Sequence, residues 1–285
     1  MRHLLTLALF VASPLAAQAP AAVVPPPSSA VKKAAATITA PDVAHRVNVI
    51  ADDSMMGRDT PSPGLEMTAQ YVADQFKSFG LKPGGENGTW FQRYDILQVQ
   101  FDPAESHIGF MAGGKHVHAE FATDARYMGG TAPDKEIGGP VVVIGGKPNR
   151  DALTGMDAAG KVVVVVMDYS KGPTAGGMGQ MIGAVYALHP LGVVILSNRD
   201  SAGWANRMKA PYRPGSRLAG AEGRPPVVEV NDAALASVLA AGGVDVAKIR
   251  ADTSTVILAD PGLKVMIDLK ETVLKQSSAP NTIGI

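Results

Sequence analysis

The chain has 285 residues, of which 46% are hydrophobic, enough for one large or two modest domains with a real core. Its 26 Lys and Arg residues balance 26 Asp and Glu residues, so no net charge favours binding to nucleic acid or to a membrane surface. Because there is no cysteine, disulfides, a thiolate nucleophile and cysteine-ligated metal sites are all excluded.

The beginning of the chain has the pattern of an export signal. Arg2 and His3 form a short basic start, residues 4–15 are apolar but too short to span a bilayer, and small residues follow. We therefore predict a signal peptide over residues 1–22 and a periplasmic or secreted mature protein without stable membrane insertion. An uncleaved membrane anchor is the less favoured alternative. Residues 23–37, rich in Ala, Pro and Ser, are predicted to be a linker.

Two helices and a strand are predicted after the linker. Thr39 or Asp42 can cap the first helix. Apolar residues at helical spacing predict the second helix over residues 63–79, after a loop over residues 52–63. The aromatic-rich run over residues 90–101 predicts a long strand.

The middle of the chain alternates apolar strands with helices. The strand is predicted to break at residues 102–105, where the sequence reads DPAE. Further strands are predicted at 140–144, 162–167, 193–196 and 226–230, with helices at 178–188 and 232–241. Strand–helix–strand units with short connections predict parallel pairing through right-handed crossovers.

Two local motifs in this block allow a functional and a structural interpretation. The glycines of residues 176–179 follow a buried strand, as phosphate-binding loops do, but their spacing departs from the dinucleotide pattern, so a structural loop is favoured. His116 and His118 share one face of a predicted strand and could bind a metal. With no third ligand nearby in the sequence, a solvent-facing pair is the preferred interpretation.

A long irregular connection is predicted over residues 200–220. Long loops are often functional, and Trp, Tyr and Arg are the residues that most often anchor recognition. We therefore select Trp204, Arg207, Tyr212 and Arg213 as candidates for a lid that contacts substrate. A packed connection with a solvated basic face is an equally good interpretation.

The last residues alternate apolar and polar side chains, which predicts a strand over residues 263–274. This strand is expected to return beside the strand that begins at Trp90, so that residues 102–261 form an insertion. A break is predicted at residues 277–280 (SSAP), and a second strand at residues 281–285. Because the chain stops inside that strand, we expect the sheet to be incomplete.

Two sets of segments resemble a known family. Residues 56–60 (MGRDT), 62–64 (SPG), 69–72 (AQYV), 80–85 (GLKPGG) and 90–92 (WFQ) resemble the start of secreted two-zinc aminopeptidases. Residues 155–164 (GMDAAGKVVV), 191–195 (LGVVI) and 226–230 (PVVEV) resemble the protease-associated domain that is inserted in this family of metalloexopeptidases.

This resemblance implies an α/β fold: an incomplete zinc-exopeptidase sheet with an inserted α/β protease-associated domain. The implied divisions are 38–101 for the first part of the peptidase domain, 102–261 for the insertion and 262–285 for the return into the sheet. In the family the zinc ligands begin with a His-x-Asp soon after the strand that residues 281–285 match. We therefore assign no catalytic or metal-binding residue, and expect no bound zinc and no activity in the chain as given.

The complete family enzyme would use zinc to remove N-terminal residues from peptide substrates; no nucleic acid partner is implied. No His-Glu-x-x-His or Gly-x-Ser-x-Gly motif offers another hydrolytic site. The alternative from another functional class is a non-catalytic periplasmic protease-associated binding module. A nucleotide-binding protein is the weakest hypothesis.

Overall fold

The computed structural model describes residues 28–147, 150–170 and 175–285. The predicted signal peptide and residues 23–27 lie outside these ranges. The chain divides into two compact units, Met1–Gly57 and Arg58–Ile285. The helices are α1 (Ser29–Ala35), α2 (Ala40–Ala51), α3 (Pro63–Ser78), α4 (Ala175–Tyr186), α5 (Ser201–Lys209), α6 (Ala236–Ala241) and α7 (Val246–Ala251). The strands are β1 (Phe91–Ala112), β2 (Lys115–Ala119), β3 (Ala125–Gly129), β4 (Ile137–Gly146), β5 (Val162–Val166), β6 (Gly192–Ser197), β7 (Gly215–Leu218), β8 (Val227–Asn231), β9 (Thr255–Leu258) and β10 (Lys264–Thr282).

The described residues of the first unit form α1, α2 and a short 3₁₀ turn. Helix α1 lies within the predicted linker and buries none of its residues. Helix α2 begins with a capping box, in which the Thr39 hydroxyl accepts from the Asp42 amide at 3.3 Å and the Asp42 carboxylate accepts from the Thr39 amide at 3.1 Å. Because both unpaired amide donors are thereby satisfied, the helix starts where the sequence predicts.

Helix α3 opens the second unit and confirms the second predicted helix. The Ser62 hydroxyl caps it by accepting from the Leu65 amide at 3.1 Å. The Glu66 carboxylate on α3 accepts hydrogen bonds from Nη1 and Nη2 of Arg93 on β1, at 3.0 and 2.9 Å. The Thr282 hydroxyl on β10 donates to the helix carbonyl of Ala69 at 3.2 Å. These contacts join α3 to both long strands.

Strands β1 and β10 form one long antiparallel ladder, from Phe91↔Thr282 to Met111↔Lys264. This pairing confirms that the strand predicted over residues 263–274 returns beside the strand that begins near Trp90. The chain therefore leaves the ladder after β1 and re-enters it at β10. The domain boundaries at residues 102 and 261 stay a prediction.

Both predicted breaks in these strands are wrong. At Asp102 the pairing register shifts, and the Asp102 carboxylate accepts from the amides of Ala104 and Glu105 at 3.0 and 3.3 Å, so β1 bulges and continues. At Pro280, opposite Arg93, β10 also continues. Proline is tolerated there because, among the described strands, this half of β10 pairs with β1 alone.

The strands form a single mixed sheet in the order β2-β1-β10-β4-β5-β6-β8-β3, with β7 beside β1 and β9 beside β4. Strands β4, β5, β6 and β8 pair in parallel, which confirms the predicted parallel pairing. Strand β3 adds to β8 in the antiparallel direction at one edge. The predicted α/β class is therefore confirmed as a large mixed sheet with helices.

The parallel strands are buried on both faces, which explains their uninterrupted valine runs. Val141 and Val143 of β4 belong to one apolar cluster, whereas Val142 and Ile144 belong to a second. Helix α4 packs on the second cluster and begins at Ala175, so the predicted glycine loop is wrong. Burial of the later residues of α4 outweighs the cost of about 1 kcal/mol for each helical glycine. In the described ranges, no helix is long and apolar enough to cross a membrane.

Candidate binding cleft

An open cleft of about 350 Å³ lies between β1, β3, β7 and β10. Its walls come from Val99 and Phe101 of β1, residues 126–130 of β3 and the turn that follows it, residues 211–213 and 215–217, and Glu271 of β10. The segment 211–217 is held in place because β7 pairs with β1. The volume lies at the lower end of the range of small-molecule sites, roughly 300–1,000 Å³.

Aromatic side chains form one side of the cleft. The ring centroid of Phe101 lies 4.7 Å from that of Tyr127, 4.8 Å from that of Tyr212 and 5.1 Å from that of Phe121. Such ring pairs contribute about 0.5–1.5 kcal/mol each beyond the area they bury. The Tyr212 hydroxyl also accepts from the Tyr127 amide at 3.4 Å. The two tyrosines are therefore fixed by packing before any ligand arrives.

Arg126 is the most deeply buried cation of the cleft, with only 6% of its surface exposed. Its guanidinium carbon lies 4.6 Å from the centroid of the Tyr212 ring. In the part of the chain that the structure describes, the guanidinium group of Arg126 has no hydrogen bond and no ion pair, while its backbone pairs with Glu229 of β8. A buried guanidinium normally has an acidic partner, because removing it from water is costly.

Glu271 is the acidic group of the cleft, and its side chain is 8% exposed. One carboxylate oxygen accepts from the Tyr127 hydroxyl at 3.4 Å, and the other lies 3.6 Å from Nε of Arg217. Burial raises the pKa of Glu271, and Arg217 only partly opposes this. Burial, followed by the nearby Glu271 carboxylate, raises the pKa of Tyr127. Oε2 of Glu271 and Nε of Arg217 are both buried without a hydrogen bond to any described residue.

A second buried acid lies beside the cleft. Glu229 of β8 has a side chain only 1% exposed, and it accepts from Nε of Arg199 at 3.0 Å and from Nε of Arg207 at 2.8 Å. Arg126 is its cross-strand neighbour in the β3–β8 pair. Directly opposed residues lie on the same face of a sheet, so Arg126 shares this face with Glu229, but its guanidinium forms no ion pair with that carboxylate. The region carries an excess of positive charge.

The four predicted lid residues separate into two groups. Trp204 is 7% exposed and its indole N–H donates to the carbonyl of Thr123 at 2.5 Å, while Arg207 pairs with Glu229, and neither residue lines the cleft. Tyr212 and Arg213 line the cleft. Whether they contact a substrate stays a prediction.

The predicted irregular connection over residues 200–220 is wrong. Asp200 caps α5 by accepting from the Gly203 amide at 2.7 Å, and β7 follows. The cap was visible in the sequence, but the Gly and polar residues of the helix concealed its periodicity. Packing of Trp204 against the body of the protein supplies the stability that helix propensity does not.

The sequence patterns did not identify Arg126, Arg217 or Glu271 as cleft residues. Arg126 stands alone in a strand that the sequence did not reveal. Glu271 lies opposite Phe101 in the β1–β10 ladder. A charged residue inside an otherwise buried strand pattern was the only local signal, and it does not identify which strands meet.

The described side chains do not fit a zinc site. Within residues 28–147, 150–170 and 175–285, no three His, Asp or Glu side chains form a group that could hold a metal ion. His116 and His118 lie on β2 opposite Met111 and Gly109, and both are exposed, which confirms the predicted solvent-facing pair.

Comparison with known proteins gives structural similarity only. No protein-family model and no curated protein matches the chain. Among solved structures, a Peptidase M28 precursor from Shewanella amazonensis SB2B matches at 11% identity and a TM-score of 0.35, covering 78% of this chain and 45% of that one. An aminopeptidase from Aneurinibacillus sp. strain AM-1 matches at 17% identity and a TM-score of 0.32, covering 78% and 42%. The chain thus spans less than half the length of these two structures.

Proposed function

We propose that this chain forms the non-catalytic part of an exported zinc aminopeptidase: peptidase-sheet strands together with an inserted protease-associated domain. One observation carries the proposal. The β1–β10 ladder brings the two ends of the middle block to adjacent strands, which is the arrangement expected of an insertion into a peptidase sheet. The order of the resembling segments supports the same assignment.

In this proposal, the zinc ligands and the catalytic residues of the enzyme lie outside the printed chain. In the complete family enzyme, zinc would activate a water molecule for attack on the first peptide bond of a substrate. The side chains described here do not fit such a site. Tyr212 and Arg213 are proposed to contact peptide at the cleft. The pattern of residues 1–22 supports export.

The test compares the chain as printed with the complete product of the reading frame that encodes it. We expect the printed chain to hydrolyse no aminoacyl p-nitroanilide and to bind no stoichiometric zinc, as measured by absorbance and by mass spectrometry of metal content. The complete product is expected to hydrolyse these substrates and to lose activity to a chelator. Stoichiometric zinc and hydrolysis by the printed chain would overturn the proposal.

A second function, a non-catalytic binding module, is favoured by one observation. The cleft combines fixed aromatic rings with a buried arginine whose guanidinium has no acidic partner among the described residues, as recognition sites do. An inactive complete product that still melts in one cooperative transition would favour this module over the peptidase. Export is tested separately, by locating the protein with and without residues 1–22.

A further inference from the structure

We propose that the cleft between β1, β3, β7 and β10 binds the carboxyl-terminal residue of a peptide, with Arg126 as the principal contact to its carboxylate. This goes beyond the proposed function, because it concerns recognition of a chain end and holds whether or not the protein belongs to a peptidase.

The first step concerns Arg126. Removing a guanidinium from water is costly unless an anion or several acceptors replace the lost hydration. Arg126 is buried, yet the only interaction of its guanidinium group with a described residue is with the Tyr212 ring. The one acid opposite it, Glu229, is already paired with Arg199 and Arg207. An anion entering the cleft would provide the missing partner.

The second step concerns the type of anion. Arg213 and Arg217 also line the cleft, and Glu271 is its acidic group, so the lining has two more positive than negative charges when Glu271 is ionised. Arginine presents paired N–H groups that match the two oxygens of a carboxylate. The aromatic surface of Tyr127 and Tyr212 provides an apolar wall beside the charges. A carboxylate joined to an apolar body fits this combination.

The third step distinguishes a peptide end from a simple carboxylic acid. A carboxyl-terminal residue carries an amide N–H close to its carboxylate, and that donor needs an acceptor when it is buried. Oε1 of Glu271, which accepts from the Tyr127 hydroxyl at a long 3.4 Å, is the acceptor that the cleft offers to this donor. The cleft therefore offers cations for the carboxylate, an acceptor for the amide and aromatic rings for the side chain.

The experiment titrates the whole protein with acetyl-Ala-Phe, in which the carboxylate is free, and with acetyl-Ala-Phe amide, by isothermal titration calorimetry. We expect one site for the free acid and at least about tenfold weaker binding of the amide, because hydrogen bonds to charged groups are the stronger class. Arg126→Gln is expected to weaken binding of the acid at least about tenfold without changing the weak binding of the amide. Arg213→Gln, at an exposed position, is expected to weaken it roughly two- to fivefold.

Arg224→Gln is the matched control, since it makes the same change at an exposed arginine that lines a different cavity. This variant is expected to bind the acid as the unmodified protein does. If Arg126→Gln does not fold, as judged by circular dichroism, Arg213→Gln decides the question. Equal affinity for acid and amide, no binding of either, or an unchanged affinity in the arginine variants would overturn the proposal. Inorganic phosphate that competes as strongly as the peptide would also overturn it, in favour of a general anion site.

Discussion

Two buried glutamates of the same sheet, Glu229 on β8 and Glu271 on β10, differ in how completely their charges are paired. Glu229 is 1% exposed and pairs with Arg199 and Arg207 at 3.0 and 2.8 Å. Glu271 is 8% exposed, but its ion pair with Arg217 is 3.6 Å long and one of its oxygens lacks a hydrogen bond to any described residue. The first site is closed by its own side chains, whereas the second is open to a cleft.

The difference follows from which elements of the fold carry the arginines that face each glutamate. Arg199 follows β6 and Arg207 lies on α5, so two elements of the fold position their Nε atoms on Glu229. The arginine beside Glu271 comes from β7, a strand of four residues at the side of β1. Well-paired buried charge indicates a structural role, while incompletely paired charge beside a cavity indicates a binding site.

Replacing Glu229 should have the largest effect on stability. Glu229→Ala is expected to lower the free energy of unfolding by about 3–5 kcal/mol, because Arg199 and Arg207 would be left without their carboxylate. Urea denaturation followed by circular dichroism measures this change. Glu222→Ala, at an exposed position, is the matched control and should stay within about 0.5 kcal/mol. A loss below that control would mean that the closed site does not stabilise the fold.

Arg207 and Arg213 test the same contrast, with smaller expected changes in the free energy of unfolding. Arg207→Gln is expected to lower the free energy of unfolding by about 1–3 kcal/mol, because it removes one of the two partners of a buried carboxylate. Arg213→Gln, exposed at the cleft, is expected to change it by less than about 0.5 kcal/mol. Urea denaturation of both variants at one pH measures the difference. Equal losses would show that the two arginines do not have separate roles.

Sequence periodicity predicted the fold well where burial is uniform along an element. The valine-rich strands β4 and β5 and helix α3 have apolar residues at the spacing that their burial requires. The interruptions at Asp102 and Pro280 were misread as breaks. At Asp102 the side-chain carboxylate accepts from a backbone amide of the bulge, so the strand continues. At Pro280 no hydrogen bond is lost, because among the described strands this part of β10 pairs with β1 alone.

The cleft could be predicted only in part, because it is assembled from four strands that are distant in the sequence. Tyr212 and Arg213 were selected for their residue type in a segment that was taken for a loop. The same criterion also selected Trp204, which packing buries. Arg126 and Glu271 were missed because their significance depends on which strands meet, and no local pattern encodes that pairing.

Replacing Glu271 should have the smallest effect and the clearest dependence on pH. Burial raises the pKa of Glu271 in the folded state above its unfolded value of about 4.3. The folded protein therefore holds this proton more tightly, so the contribution to stability is full below the unfolded pKa and is lost as pH rises through the folded pKa. Glu271→Gln stays neutral and does not undergo this loss.

We therefore expect the stability of Glu271→Gln, relative to the unmodified protein, to increase between pH 4 and pH 8. The change should be smaller than the loss expected for Glu229→Ala, because Arg217 is 32% exposed and the ion pair that is removed is long. Urea denaturation of both proteins across this pH range measures it. Asp42 and Asp52, whose pKa values are lowered by hydrogen bonds, titrate in both proteins and cancel in the difference. A difference that is constant with pH would contradict a raised pKa, and a loss as large as that of Glu229→Ala would make Glu271 a second closed site.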